Sequence, residues 1–245
     1  MTSQPTCQAG FQFNTDEGTA MFLEIALAIG VAYQLVRRFK KPTNVTRQGL
    51  KPLSRAEALG AQGEAAAHAK LKETLEWLCG SDYVLLGAPL IIEHAPGTAF
   101  PTAEIDHLAV TPFGIFVFET KNWSGRIAPS TAQGMLTRVG ADLRAVDRRS
   151  PIAQNRTKIE FFRLNLPPVW PVTGAGLFTS PLATLDAALH SDLLTLADLP
   201  QWLRARRDAF AGLRPVDVQK AMAAVTLLVR RSETDLRDHK ALVIR

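Results

Sequence analysis

The chain has 245 residues, 47% of them apolar, an ordinary globular composition with room for one good core plus an appendage. Lys and Arg number 28 against 23 Asp and Glu, a formal net charge of +5 that suits a phosphate-rich partner, although many basic proteins bind no nucleic acid. With only Cys7 and Cys79 and five scattered histidines, a disulfide framework and a cysteine-based zinc site are excluded, and the lack of a P-loop, a glycine-rich dinucleotide turn or a nucleophile elbow disfavours small-molecule chemistry.

Residues 1–17 read as an N-terminal tail ending in Asp16-Glu17. Residues 18–36 are largely apolar, from Ala20-Met21-Phe22-Leu23 through Ile25 to Tyr33. About 19 residues at roughly 1.5 Å each reach about 28 Å, close to the hydrocarbon thickness of a bilayer. Arg37, Arg38, Lys40 and Lys41 follow at once. The positive-inside rule then predicts a single transmembrane helix in the cytoplasmic (inner) membrane, with the N-terminus outside and the main domain in the cytoplasm. Glu24 lies within the span but near one end, where its penalty falls below the roughly 2.5–3.5 kcal/mol of the membrane centre. The competing reading is a buried or amphipathic surface helix of a soluble cytoplasmic protein. Residues 37–53 form a basic, polar linker.

Ser54 is placed to cap a helix from Arg55 to Cys79, ended near Gly80. Ala67, Leu71, Leu75 and Leu78 make its apolar stripe, and Glu64 falls on the same stripe. From spacing alone Glu64 reads as an ordinary glutamate at the stripe's edge. Tyr83 to Glu93 reads as the first strand, and a Pro- and Gly-bearing loop runs to about Thr102.

The richest stretch follows. Ala103 to Val110 and Ile115 to Lys121 flank the turn Thr111-Pro112-Phe113-Gly114 and predict a β-hairpin. With that turn Val110 faces Ile115, Leu108 faces Val117, Asp106 faces Glu119 and Glu104 faces Lys121, all on one side by the two-residue alternation. Directly opposed carboxylates have Cβ atoms about 4.5–5.5 Å apart and repel. A solvated sheet face would explain them, but both faces of these strands are otherwise apolar, which predicts burial on both sides. Buried carboxylates need a partner, and a hard divalent cation such as Mg²⁺ or Mn²⁺ suits them.

Gly125 to Ala128 and Met135 to Val139 suggest short strands. Ser150 caps a helix opening with Pro151, whose stripe is Ile152, Asn155, Ile159, Phe162 and Leu166. Gln154, Arg156 and Lys158 lie off that stripe; Arg156, Lys158 and Arg163 could meet phosphates, but each of these residues taken singly reads as part of a solvated face. Val169 to Phe178 reads as a last strand. A C-terminal extension over 201–245 holds helices at Pro200 to Ala211 and Pro215 to Arg231. Their arginines, Arg204, Arg206, Arg207, Arg230 and Arg231, read as a solvated face. Lys240 to Arg245 carries no signal.

Asp106 followed by Glu119-Thr120-Lys121 resembles the D…(D/E)-x-K core of the restriction-endonuclease-like superfamily. The fuller wording, Glu104-Ile105-Asp106-His107-Leu108 with Gly114 to Lys121 and Asn122-Trp123-Ser124-Gly125, resembles the nuclease-related domain, NERD. Gly63-Glu64 upstream and Pro151-Ile152-Ala153-Gln154-Asn155 downstream match further pieces of that family. The resemblance implies an α/β fold, a mixed central sheet flanked by helices, over residues 54–200. It implies catalytic roles for Glu64, Asp106, Glu119, Lys121 and Gln154. Asp106 and Glu119 would ligate a Mg²⁺ or Mn²⁺ ion, supported by Glu64 and the Thr120 carbonyl. Lys121 would orient water or meet developing charge. The expected activity is hydrolysis of nucleic acid, DNA in the first instance, by a membrane-tethered nuclease. The competing class is a nucleic-acid-binding or scaffold module that keeps the fold without catalysis; the full acid–lysine set favours the enzyme, because binding alone does not need it.

Overall fold

The computed structural model describes residues 54–243. The expected membrane helix at 18–36 and the linker at 37–53 lie outside the described residues. Among the described residues no helix is long and apolar enough to cross a membrane.

Helix α1 (Arg55–Cys79) begins in a capping box. The Glu57 amide donates to Ser54 Oγ (3.2 Å) and the Ser54 amide donates to Glu57 Oε2 (2.8 Å), so two orphan donors are satisfied. Nine strands follow: β1 (Val84–Glu93), β2 (Thr102–Thr111), β3 (Gly114–Lys121), β4 (Gly125–Pro129), β5 (Met135–Val139), β6 (Ala145–Arg149), then β7 (Val172–Phe178), β8 (Ala183–Leu185) and β9 (Leu193–Thr195). Helix α2 (Pro151–Asn165) precedes β7, and α3 (Leu199–Phe210), α4 (Val218–Leu228) and α5 (Glu233–Val243) close the chain.

The main sheet is mixed, in the order β1-β2-β3-β7-β9. β1, β2 and β3 are antiparallel, and β3, β7 and β9 are parallel. Helices cover both faces. Leu108, Val110, Ile115 and Val117 pack with Phe162 of α2 and with Ala221 and Val225 of α4. Ala109, Phe116 and Phe118 pack with Ala67, Leu71 and Leu75 of α1 and with Leu199 and Leu203 of α3. Strand β3 is therefore buried on both sides, as its two apolar faces require. A smaller sheet, β6-β5-β4-β8, joins one end through Ile127, Leu136, Phe178 and Leu193.

Several elements differ from the sequence reading. Strand β7 starts at Val172 rather than Val169 and is not the last, because the three-residue β8 and β9 follow it. Both are too short to show an alternation. Strand β6 is exposed at every residue, so no apolar face announces it. Ser150 occupies the N-cap position of α2 without a capping bond from its side chain; its amide donates instead to the Gly134 carbonyl (2.9 Å). The helix expected over Pro215 to Arg231 shrinks to α4, capped by Asp217, whose Oδ1 accepts from the Lys220 amide (3.0 Å). Beyond it Arg230 exchanges both backbone bonds with Ile91 and covers the edge of β1. Helix α5 occupies a stretch read only as featureless at its end, although Glu233 and Asp235 in its first turn and Lys240 in its last complement the helix dipole. Helices α3 and α4 are built into the cores, α3 on one face of the main sheet and α4 on the other.

Candidate active site

The hairpin turn is the expected one, with Thr111 opposite Gly114, Val110 opposite Ile115 and Leu108 opposite Val117. Thr111 Oγ1 donates to the Gly114 carbonyl (2.9 Å) and accepts from the Phe113 amide (3.2 Å). The ladder then stops at His107 and Phe118. On the other side, β1 and β2 pair up to Gly87–His107 and resume at Leu90–Ile105, leaving Ala88 and Pro89 opposite Asp106. Pro89 has no amide hydrogen to give, which favours a bulge there. Neither ladder pairs Asp106. The expected cross-strand pairs of Asp106 with Glu119 and of Glu104 with Lys121 are thus corrected. The carboxylate of Asp106 takes the place of a ladder carbonyl, its Oδ2 accepting from the Thr120 amide (2.7 Å). Lys121 pairs with Glu119 of its own strand (2.6 Å), not with Glu104.

The acids nevertheless share one space. A cavity of about 920 Å³ is lined by Glu64 of α1, Glu104 and Asp106 of β2, Glu119, Thr120 and Lys121 of β3, and Gln154 and Lys158 of α2. All six residues named as candidate site residues lie on it. Glu119 is only 4% exposed.

Two contacts bring the helices in. Gly63 lets α1 approach the end of β3: a Cβ there would stand 2.8 Å from Asn122 Cβ and 2.7 Å from Thr179 Oγ1. Asn122 Nδ2 also donates to the Leu59 carbonyl (2.8 Å). The Gly63-Glu64 pair therefore has a physical meaning: the glycine sets the distance and the next residue reaches the cavity. On the other face α2 sits against β7, where a Cβ at Gly176 would stand 2.4 Å from Pro151 Cβ. Buried Asn155 bridges the parallel pair, its Nδ2 donating to the carbonyls of Val117 (3.0 Å) and Ala175 (3.2 Å). That anchor holds Gln154 and Lys158 over the site.

Lys158 is the residue the sequence reading missed. Expected on a solvated face, it is buried and its Nζ contacts Glu119 Oε2. It stands four residues after Gln154, on the same helical face, which is the signal that would have found it. Gln154 Oε1 accepts from Lys121 Nζ (3.3 Å) and its Nε2 donates to the Arg149 carbonyl (3.1 Å), so the glutamine steers Lys121.

The electrostatics split the two acids. Burial pushes Glu119 up, but the ammonium groups of Lys158 and Lys121 outweigh it and hold the carboxylate below its usual range. Asp106 has no such clamp. Burial, reinforced by the charge of Glu119, raises it to about 7 against the pull of Lys158, the Thr120 amide and Lys121. Glu64 is also raised, by burial and then by Glu104. His107, next to Asp106, is buried, its ring 5.5 Å from that of His68, and burial lowers it to about 4, so it is neutral and structural.

The donors suit a hard divalent cation. Carboxylates at 64, 104, 106 and 119 line the cavity beside the bases Lys121, Lys158 and Arg149, and hard oxygen donors of this kind suit Mg²⁺ or Mn²⁺. Both oxygens of Glu119, however, are already bound by lysines, so ligation there requires one ammonium to swing away. Among the described residues no three His, Cys, Asp or Glu side chains stand close enough together to form a ready-made metal cluster.

The arginines of α3 and beyond take no part. Arg206 pairs with Asp192 (2.5 Å), Arg230 with Glu93 (2.5 Å), and Arg204 lies over the Trp77 ring at 4.7 Å.

Residues 59–179 match the family model described as the nuclease-related domain. No curated protein and no solved structure matches the chain.

Proposed function

We propose that this chain, which carries a nuclease-related domain over residues 59–179, is a metal-dependent phosphodiesterase that hydrolyses nucleic acid, DNA in the first instance. The observation that carries the reading is the convergence of Asp106, Glu119 and Lys121 with Glu64 in a single cavity. The antiparallel hairpin β2–β3 continued by parallel β7, with helices on both faces, supports a restriction-endonuclease-like core.

Asp106, Glu119, Glu64 and the Thr120 carbonyl would hold Mg²⁺ or Mn²⁺, which polarises the phosphate and acidifies a bound water. Lys121 is the residue placed to act on that water or on charge developing at phosphorus, held by Glu119 and Gln154. Lys158 is a positioning residue: its Nζ pairs with Glu119 Oε2 and would hold that carboxylate for a cation. Asp106, whose carboxyl burial raises to about 7, would ligate the cation in its ionised form. The apolar segment 18–36 tethers the domain to the cytoplasmic membrane in this reading.

One observation favours the non-catalytic alternative: two lysines already satisfy Glu119, as a retired metal site would. The test is incubation of the full chain in detergent with plasmid and linear DNA, in Mg²⁺, Mn²⁺ or EDTA. Divalent-dependent cleavage that disappears in Lys121→Ala supports the enzyme. DNA binding unchanged by chelation, with no cleavage under any condition, supports the binding module.

A further inference from the structure

We propose that the cavity accepts an unpaired DNA strand rather than an intact duplex, with Phe100 and Trp123 stacking its bases. The inference rests on the nuclease reading for the chemical class of its ligand. Its first support is volume. About 920 Å³ lies within the roughly 300–1,000 Å³ of pockets for small ligands, room for a few nucleotides. The acids are inside this space, with Glu119 only 4% exposed. A duplex is stiff over about 50 nm and carries its phosphates on the outside of a cylinder. A duplex would have to bend to follow a recess of this size, whereas an unpaired strand follows it freely.

The second support is the chemistry of the walls. Phe100, on the β1–β2 loop, is 62% exposed and belongs to none of the core clusters. Its apolar ring faces water at the rim of the cavity. Trp123, directly after the Lys121-Asn122 end of β3, lines the same cavity and is held from behind by Phe178, ring centroids 5.6 Å apart. Arg149, exposed at the end of β6, has no ion-pair partner among the described residues and is free for a backbone phosphate. Aromatic platforms beside an unpaired base are the equipment of single-strand binding, because every nucleobase has a stackable face.

The third support is the framing of the space by several elements. Its lining comes from α1 (Ala56, Leu59), the β1–β2 loop (His94, Phe100), α2 (Gln154, Thr157) and α5 (His239). The last wall comes from beyond residues 59–179. His239 is fastened there by a bond between its Nδ1 and Thr102 Oγ1 (2.8 Å).

The experiment measures fluorescence anisotropy of a labelled oligodeoxynucleotide, single-stranded and as a blunt duplex, with the full chain in detergent and EDTA. Cleavage of the same oligonucleotides is followed in Mn²⁺. The single strand is expected to bind at least about tenfold tighter, and Phe100→Ala to weaken it roughly five- to a hundredfold, the loss of one stacked base. Phe100→Tyr restores binding, and Arg149→Ala lowers the salt slope by about one charge. Equal or tighter duplex binding, or single-strand binding unmoved by Phe100→Ala, overturns the inference. Strand-selective binding without cleavage sustains it while removing the nuclease reading; cleavage of duplex in preference to single strand does the reverse.

Discussion

The two ends of hairpin β2–β3 are held by different physics. At the turn end Leu108, Val110, Ile115 and Val117 pair in register and are fully buried among apolar neighbours. At the open end the ladder stops, and Asp106, Glu119 and Lys121 are held by a side-chain bond to an amide and by ion pairs. Non-directional burial sets one end. The other depends on a few directional contacts to buried charge, each costly to lose. The contrast explains how one short element both anchors the sheet and carries the candidate chemistry: the apolar end supplies the stability that the charged end consumes.

The largest test breaks the charged end. Glu119→Ala removes the ion-pair partner of the buried Lys158 ammonium and is expected to cost about 3–5 kcal/mol in urea unfolding, besides abolishing divalent-dependent cleavage. Adding Lys158→Met to it should recover most of that stability and none of the cleavage. A single Glu119→Ala as stable as the parent would remove the contrast between the two ends.

At the apolar end Leu108→Ala should cost about 2–5 kcal/mol through the cavity it leaves, with cleavage per folded molecule unchanged. Loss of activity in the folded fraction would show the two ends to be coupled.

Gly63→Ala tests how α1 delivers Glu64. The added Cβ meets Asn122 and Thr179 below 3.0 Å, so about 1–3 kcal/mol of stability is expected to be lost, and cleavage should fall with it. Crystals of the variant should show α1 displaced from Asn122.

A pH titration separates the ends further. Asp106 holds its proton in the fold up to about 7 but releases it near its ordinary 3.8 when unfolded. In that window the folded state binds the extra proton, so stability falls as pH rises, and the effect is complete above about 7. Glu119, lowered in the fold, pulls the other way only as pH falls through its own acidic range. His107, lowered to about 4 in the fold, pulls the opposite way up to its ordinary 6.5, so the Asp106 contribution is read as a difference: the melting temperature of the parent in EDTA, relative to that of Asp106→Asn, should fall between about pH 5 and pH 7.5. A parent profile parallel to that of Asp106→Asn would count against a buried, raised Asp106. The smallest effect is expected of Gln154→Ala, which frees Lys121 from one neutral bond worth about 0.5–1.5 kcal/mol and should reduce kcat by several-fold with KM unchanged.

Much of this was legible beforehand. Helix α1 runs between the residues its capping signals named, and the hairpin turn and its first pairs have the register that the turn predicts. Asp106, Glu119, Lys121, Glu64, Thr120 and Gln154 were all singled out, and all line one cavity. The errors have a common cause. Alternation alone extends the hairpin register past His107, whereas the β2–β3 ladder ends there and the Asp106 carboxylate accepts from the Thr120 amide instead. Lys158 was read as solvated because helical spacing reports which side of α2 is apolar, not what an off-stripe residue meets. Strand β6 and helix α5 escaped because neither has a strongly apolar face.

The amino-acid order alone determined what is local: caps, turn, two-residue alternation, and the acids and lysine brought onto one strand pair. These depend on contacts a few residues apart, where backbone geometry leaves few choices. Only the tertiary structure decided that Lys158 clamps Glu119 from 39 residues away, that Gly63 and Gly176 set how closely two helices approach the sheet, and that α5 returns to wall the cavity. Those outcomes follow from packing and charge pairing across the chain, of which helical spacing tells only which residues share a face.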